Sequence, residues 1–383
     1  MPDGQYGATR YFTEQLCQSL KKKDVECQIF DFEEDDVFTV MERVKRDRPD
    51  CTCTFNPILP LPDGRLFCDH IETPHLNCLV DSSIEALYLL KSPYSIISCV
   101  DLFLCEYLQS GDFQNVFFFP HGVDADLQEG TEGKRRYDIS MLGTCVDYEE
   151  IHDMWLEKYP PKILSIIEDV IKKVFSDDRT PYLQTLLRAL SDAKISPKEI
   201  VLTSLVREVE RYIKGKGRLD MIRAIKDAEV HVFGKELGSR GWEDYLSDQK
   251  NVIIHDSISF EEGIKVMGES KVVLNSMPFF KYGSHERLFY GLASGAVVLS
   301  DETLYTKEIF KEREGVIFYR SWDAGNINEE INKILSDKKE RSHLASVGRK
   351  RVINEHSWDQ RASLLIEKLP KFLANIKNCV GVQ

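Results

Sequence analysis

The stretch KVVLNSMPFFKYGSHERLFYGLASGAVVLSD, Lys271–Asp301, decides the fold. An apolar run at Lys271–Asn275 leads into a glycine-bearing loop, and a helix follows from about Ser284. A small-residue turn at Ser294-Gly295 then opens a second apolar run, Ala296–Ser300. Strand, loop, helix, strand is the crossover unit of a parallel sheet. Ligands of open α/β sheets sit at the carboxyl ends of the strands, and the loop Phe279–Gly283 leaves such an end. Gly283 admits a ligand close to the backbone, Ser284 is suited to cap the helix, and the positive helix end suits a pyrophosphate. Lys281, His285 and Arg287 add donors or positive charge. The Glu286 carboxylate suits the diol of a sugar. A plainer reading makes Glu286 and Arg287 a solvated first turn and Gly295 a helix stop.

Outward from this stretch the same alternation recurs. Apolar strand-like runs stand at Cys27–Phe32, Cys51–Phe55, Tyr94–Val100, Val116–Phe119, Tyr137–Leu142, Val230–Phe233 and Val252–His255. Helical periodicity marks Arg10–Leu20, Phe260–Met267 and Ser357–Ala374, with three helical segments between about Ile151 and Asp227. An open α/β architecture follows. One feature departs from it: the chain opens in the Gly4/Gly7 loop, where such a domain opens with a strand.

Composition narrows the function. The 383 residues carry 50 Lys+Arg against 63 Asp+Glu, a formal charge of −13. That balance argues against a nucleic-acid or anionic-membrane surface, which needs a cationic footprint. No apolar run reaches the ~20 residues of a membrane span, and MPDGQYGATR is not a signal peptide, so the expectation is a cytoplasmic protein. Nine of the ten cysteines lie in the first 145 residues, within apolar runs, as buried thiols do. Cys68, His70, His75 and Cys78 could hold zinc, but their spacing matches no structural zinc site. No metal is expected.

VVLNSMPFFKYGSHERLFYGLASGAVVLSD resembles the signature of CgeB-like glycosyltransferases, which have the GT-B architecture. RRYDISMLGT (Arg135–Thr144), VERYIKGKGRLDMIRAI (Val209–Ile225), VHVFG (Val230–Gly234) and FFFPHGVD (Phe117–Asp124) resemble further family segments, in the same order. The resemblance implies an α/β fold of two facing Rossmann-like domains with parallel sheets and a helical insertion in the second. The implied domains are 1–134 on the acceptor side and 135–355 on the nucleotide-sugar side, with a helical block at 151–227. A last helix, 356–383, would cross back to the first. Where many relatives have Asp before the glycine this chain has Tyr282, and where related enzymes often carry a helix glutamate it has Tyr290.

On the same resemblance, Gly143, Thr144, Gly234, Lys281, Gly283, Ser284, His285, Glu286 and Arg287 line a donor site. Glu286 would meet the ribose of a UDP- or GDP-linked sugar. Helix ends and basic side chains would stabilise the leaving diphosphate without a metal or other cofactor. The acceptor, be it glycan, protein or small molecule, would meet loops of the first domain. There CDHIETPHLNC offers His70, Glu72 and His75 as general bases if the reaction inverts. His121 is expected in the turn into the interdomain linker, Asp101 as a helix cap, and Trp358 and Phe372 in the core. The alternative is a catalytically inactive nucleotide-sugar-binding protein. A dinucleotide-dependent oxidoreductase lacks its G-x-G-x-x-G after any predicted strand. Sugar, acceptor, stereochemistry and oligomeric state are not written in the sequence.

Overall fold

Short apolar runs buried on both faces make parallel strands, and the helices between them make the crossovers. The computed structural model describes residues 4–32, 35–81, 84–131, 133, 135–196, 200–320 and 327–381. Lys134, the expected last residue of the first domain, and Glu199, expected in a helix, lie outside the described residues. The chain divides into two units. One comprises Met1–Asp126, Ser259–Glu261 and Ile353–Gln383; the other comprises Leu127–Ile258 and Glu262–Val352.

The first unit opens with a short 3-10 turn, Gly4–Gly7, leading into α1 (Ala8–Lys21). There follow α2 (Val37–Asp47), β1 (Thr52–Phe55), α3 (Phe67–Ile71), β2 (His75–Leu79), β3 (Ser95–Cys99), α4 (Leu102–Ser110) and β4 (Val116–Phe118). The four strands pair in parallel in the order β1-β2-β3-β4. Asp101 caps α4, accepting from the Phe103 amide at 2.8 Å, and burial pushes its carboxyl up to about 7. The segment CDHIETPHLNC, expected as a loop, instead ends in strand β2 from His75. The run Cys27–Phe32 had been read as a strand and joins no ladder among the described residues.

The second unit is built on a six-stranded parallel sheet. Its elements begin with β5 (Tyr137–Leu142), β6 (Cys145–Val146), α5 (Tyr148–Lys158), α6 (Pro161–Val174), α7 (Tyr182–Asp192) and α8 (Leu202–Ala224). Next come β7 (Val230–Phe233), β8 (Glu236–Leu237), α9 (Trp242–Leu246), β9 (Val252–His255), α10 (Phe260–Gly268), β10 (Ser270–Asn275), α11 (Glu286–Ala293) and β11 (Val297–Asp301). Then follow α12 (Leu304–Ile309), β12 (Val316–Tyr319), α13 (Ile327–Ser336) and α14 (Lys338–Glu355). The large sheet runs β12-β11-β10-β5-β7-β9, and β6 pairs with β8 apart from it. Ile139, Met141, Val230, Val232, Val272, Leu274, Val297 and Leu299 share one fully buried cluster. Each such side chain contributes about 1.5–3 kcal/mol on leaving water. Four helices, α5 to α8, stand where three had been expected.

The chain ends in α15 (Trp358–Val380), a helix of the first unit. Trp358 is buried against Phe12 of α1 and Phe55 of β1, with ring centroids 5.5 and 5.8 Å away. Phe372 stacks on Phe117 at 5.3 Å. Arg361 donates to the carbonyls of Pro120 and His121 at 2.7 and 3.0 Å, so the turn after β4 is clamped by the last helix. No helix among the described residues is long and apolar enough to cross a membrane.

Candidate functional site

Gly143 directly follows β5, the strand between β10 and β7, and its amide bonds the Phe233 carbonyl at 2.9 Å. Gly234 directly follows β7 beside it. A Cβ on Gly234 would lie 1.9 Å from the Gly143 carbonyl oxygen, so the two strand ends meet only because that residue has none.

Two buried guanidiniums converge on this point. Arg218, within α8, donates from Nη1 to the Thr144 carbonyl at 2.5 Å; Arg287, in the first turn of α11, donates to the Leu142 carbonyl at 2.8 Å. A Cβ on Gly143 would stand 3.1 Å from Arg218 Cζ and 3.4 Å from Arg287 Nη1. Like charges gathered at the carboxyl edge of a sheet favour an anion. Sequence reasoning passed over Arg218, although a signal was present. Glycine inside a helix costs about 1 kcal/mol against alanine, so Gly215 and Gly217 in α8 mark a close approach. A Cβ there would lie 2.6 Å from the Val146 carbonyl and 2.4 Å from Pro278 Cγ, respectively. Those contacts set α8 against the strand-end loops and deliver Arg218 to Gly143.

The loop between β10 and α11 is braced from below. Asp301, at the end of β11, accepts from the Met277 amide at 2.5 Å, and burial pushes its carboxyl up to about 6. Thr303 Oγ1 donates to the Gly283 carbonyl at 3.0 Å, and the Leu304 amide donates to the Lys281 carbonyl at 2.9 Å. The helix starts one residue later than expected: His285, not Ser284, is its N-cap, and it makes no side-chain cap bond. Ser284 Oγ is buried and makes no hydrogen bond among the described residues. The His285 ring contacts the Glu286 carboxylate, which is 15% exposed at the helix start. Tyr290, one turn on, is core.

Lys281 goes elsewhere. Its buried amine donates to the carbonyls of Val174 and Asp177 at 2.9 and 2.8 Å, closing the carboxyl end of α6 as a cation should. Burial lowers its pKa, against the opposing pull of Asp301, Asp177 and Asp178. The expectation of a phosphate-binding Lys281 therefore gives way to a structural one.

The three general-base candidates stand at the other edge of a different sheet. His70 stands in the last turn of α3 and reaches Asp63 at 3.2 Å; Glu72 is the exposed residue that follows the helix; His75 begins β2. All three lie at or just before the amino end of a parallel strand, whereas ligands gather at the carboxyl ends. His75 is a core residue: Nδ1 meets Thr52 Oγ1 at 2.7 Å and Nε2 meets Thr54 Oγ1 at 3.1 Å. Nor do the zinc candidates converge, since Cys68 meets Ser92 and Cys78 meets Cys53. Among the described residues no group of His, Cys, Asp and Glu could hold a metal, and all ten cysteines are free.

Burial pushes the His75 imidazole down from 6.5 to about 4. In that window the unfolded chain holds the proton and the folded chain does not. The stability due to this group is whole above pH 6.5 and is lost as pH falls toward 4, by about 3 kcal/mol. Urea unfolding at pH 7 and pH 4.5 should show His75→Gln gaining on the unsubstituted protein in acid. Parallel pH profiles would refute the buried neutral ring.

Residues 217–367 match a family model described as glycosyl transferase-like. No curated protein matches the chain. Among solved structures, AviGT4, a glycosyltransferase involved in avilamycin A biosynthesis, aligns with TM-score 0.56 at 11% identity, over 96% of this chain and 91% of its own. Sucrose-phosphate synthase from Thermosynechococcus elongatus gives 0.52 at 12%, over 88% of this chain and 77% of its own. HepE from Anabaena, solved with UDP-glucose, gives 0.50 at 10%, over 88% and 82%. The fold is that of GT-B glycosyltransferases, and the segment from Gly217 to Glu367 carries a glycosyl transferase-like pattern.

Proposed function

We propose that the chain transfers a sugar from a nucleoside diphosphate sugar to an acceptor hydroxyl, as the CgeB-like resemblance implies. The observation that carries this reading is the meeting of Arg218, Arg287 and the α11 N-terminus at Gly143-Thr144. Departure of the sugar leaves charge on the diphosphate. Fixed guanidiniums and helix-end amides stabilise that charge in a site that need not reorganise. They are also the groups that do so without a divalent metal. Ser284 Oγ is a hydroxyl with hydrogen-bonding capacity to spare, and Glu286 at the helix start suits the two ribose hydroxyls. Gly143, Thr144, Gly234, Gly283 and His285 shape the backbone around the diphosphate.

Calorimetric titration with UDP, GDP, TDP and CMP in EDTA tests the reading. One nucleoside diphosphate should bind at micromolar Kd, and its sugar should be consumed when acceptors are supplied. A protein that binds no nucleotide, or binds one only with added divalent metal, would sink the proposal.

A further inference from the structure

Helix α8 is longer than its sheet requires. Its later residues Leu219, Met221 and Ile222 pack in the core of the six-stranded sheet, and Arg218 lies at the strand ends beside Gly143. The helix ahead of Gly215, which abuts Val146, therefore projects past the carboxyl edge of the sheet. From Gly215 back to Leu202 that overhang measures about 20 Å. One face of it is core: Leu205, Val206, Val209 and Ile213 are fully buried in the block formed with α5, α6 and α7.

The opposite face carries a row of cations. Counting back from Arg218, Lys214, Arg211 and Arg207 stand four, seven and eleven residues earlier, the spacing that keeps side chains on one helix face. Arg207 and Arg211 are exposed. Lys214 is half-buried, its amine 5.7 Å from the ring centroid of Phe279 on the loop between β10 and α11. The row spans about 16 Å and leads from solvent to the Gly143 edge. The acids of α8 are engaged on its flanks. The Glu208 carboxylate accepts from Trp155 and Tyr159 at 3.1 and 3.0 Å and pairs with Lys158. Glu210 accepts from the Tyr182 hydroxyl at 2.5 Å, and Asp220 pairs with Lys216 at 2.7 Å. Arg211 pairs with no acid among the described residues. In a chain of net charge −13, four cations on one helix face make a local attraction for anions that the overall balance opposes.

We propose that the overhang of α8 is an acceptor track for an acidic glycan. The proposal rests on the transferase reading above, in which the leaving diphosphate meets Arg218 and Arg287. The acceptor must bring a hydroxyl to that point, and the row asks the rest of the same molecule for negative charge. A guanidinium takes a carboxylate or phosphate through two parallel hydrogen bonds, so successive turns of the helix offer successive anchoring points. A row of about 16 Å is longer than one sugar ring, so the ligand is an oligomer with acidic groups along it. Exposed ion pairs contribute little singly, but several on one chain reinforce each other.

Titration calorimetry of the whole chain with hexagalacturonate, neutral maltohexaose and inorganic polyphosphate tests the track. Hexagalacturonate should bind, maltohexaose should not, and the affinity should fall as salt rises. Arg207→Gln/Arg211→Gln should weaken hexagalacturonate at least tenfold. Lys333→Gln/Lys339→Gln removes the same charge from exposed positions on α13 and α14 and should not. Failure of hexagalacturonate to bind, equal affinity in the two double variants, or equal binding of maltohexaose would each overturn the track. Polyphosphate bound more tightly than the glycan, with the same loss in Arg207→Gln/Arg211→Gln, would make the row a general anion surface and overturn the glycan. The donor reading is separated by the nucleotide titration. Hexagalacturonate binding by a chain that binds no nucleotide would overturn the acceptor role and the transferase reading together, leaving an acidic-glycan site.

Discussion

Arg287→Met should lower kcat/KM for the donor by about 10²–10³-fold, and Arg218→Met should do the same. Removing one preorganised donor to a developing oxyanion costs that much in other acyl and phosphoryl sites, and both guanidiniums here converge on one glycine. Methionine keeps most of the side-chain volume. Each variant leaves the buried Leu142 or Thr144 carbonyl without that donor, so Tm should fall as well, by an amount that does not account for a loss of this size in turnover. Lys281→Met is the contrasting case. It strips two buried carbonyls of their donor, so it should lower Tm while leaving nucleotide Kd within about twofold. Titration calorimetry and thermal unfolding on the three variants decide the matter. If Lys281→Met loses nucleotide affinity and the arginine variants keep it, the anion site is misplaced.

Gly234→Ala should cost about 3 kcal/mol, lowering Tm by about 10 °C. The added methyl would lie 1.9 Å from the Gly143 oxygen and 2.6 Å from its carbonyl carbon, both main-chain atoms of a paired strand. No rotamer relieves such a contact, so β5 and β7 must separate at their carboxyl ends. Gly133→Ala, with no described residue beyond its chain neighbours within 4 Å of the added Cβ, is the neutral control. Differential scanning calorimetry on both checks the expectation, and equal Tm values would show that the strand ends yield freely.

Much of the fold was legible because parallel strands buried on both faces leave compact apolar runs. Val230–Phe233 and Val252–His255 fall where the runs do, and β10 and β11 begin or end within one residue of theirs. Cys27–Phe32 has the same apolar character, but a ladder also needs a neighbour, and neighbours are not encoded in a run. The His70–His75 loop was misread because an apolar run before a loop looks like a strand end; Phe67–Ile71 is instead a helix, so the loop feeds a strand rather than leaving one. Lys281 sits beside Gly283 in sequence, yet a long side chain can serve a helix far along the chain. Arg218 was hidden in a helix whose two glycines carried the only local clue.

The membership of α15 in the first unit bears on how the protein is made. That unit's core closes Trp358 over Phe12 and Phe55, residues separated by some 300 positions of intervening chain. The second unit needs nothing beyond Val352. On the ribosome the order of completion is therefore reversed: the unit begun first is finished last. Its early strands wait with Phe12 and Phe55 uncovered while the second sheet is assembled. That interval, at about 5–20 residues per second, is when nascent chains stand most in need of chaperone cover.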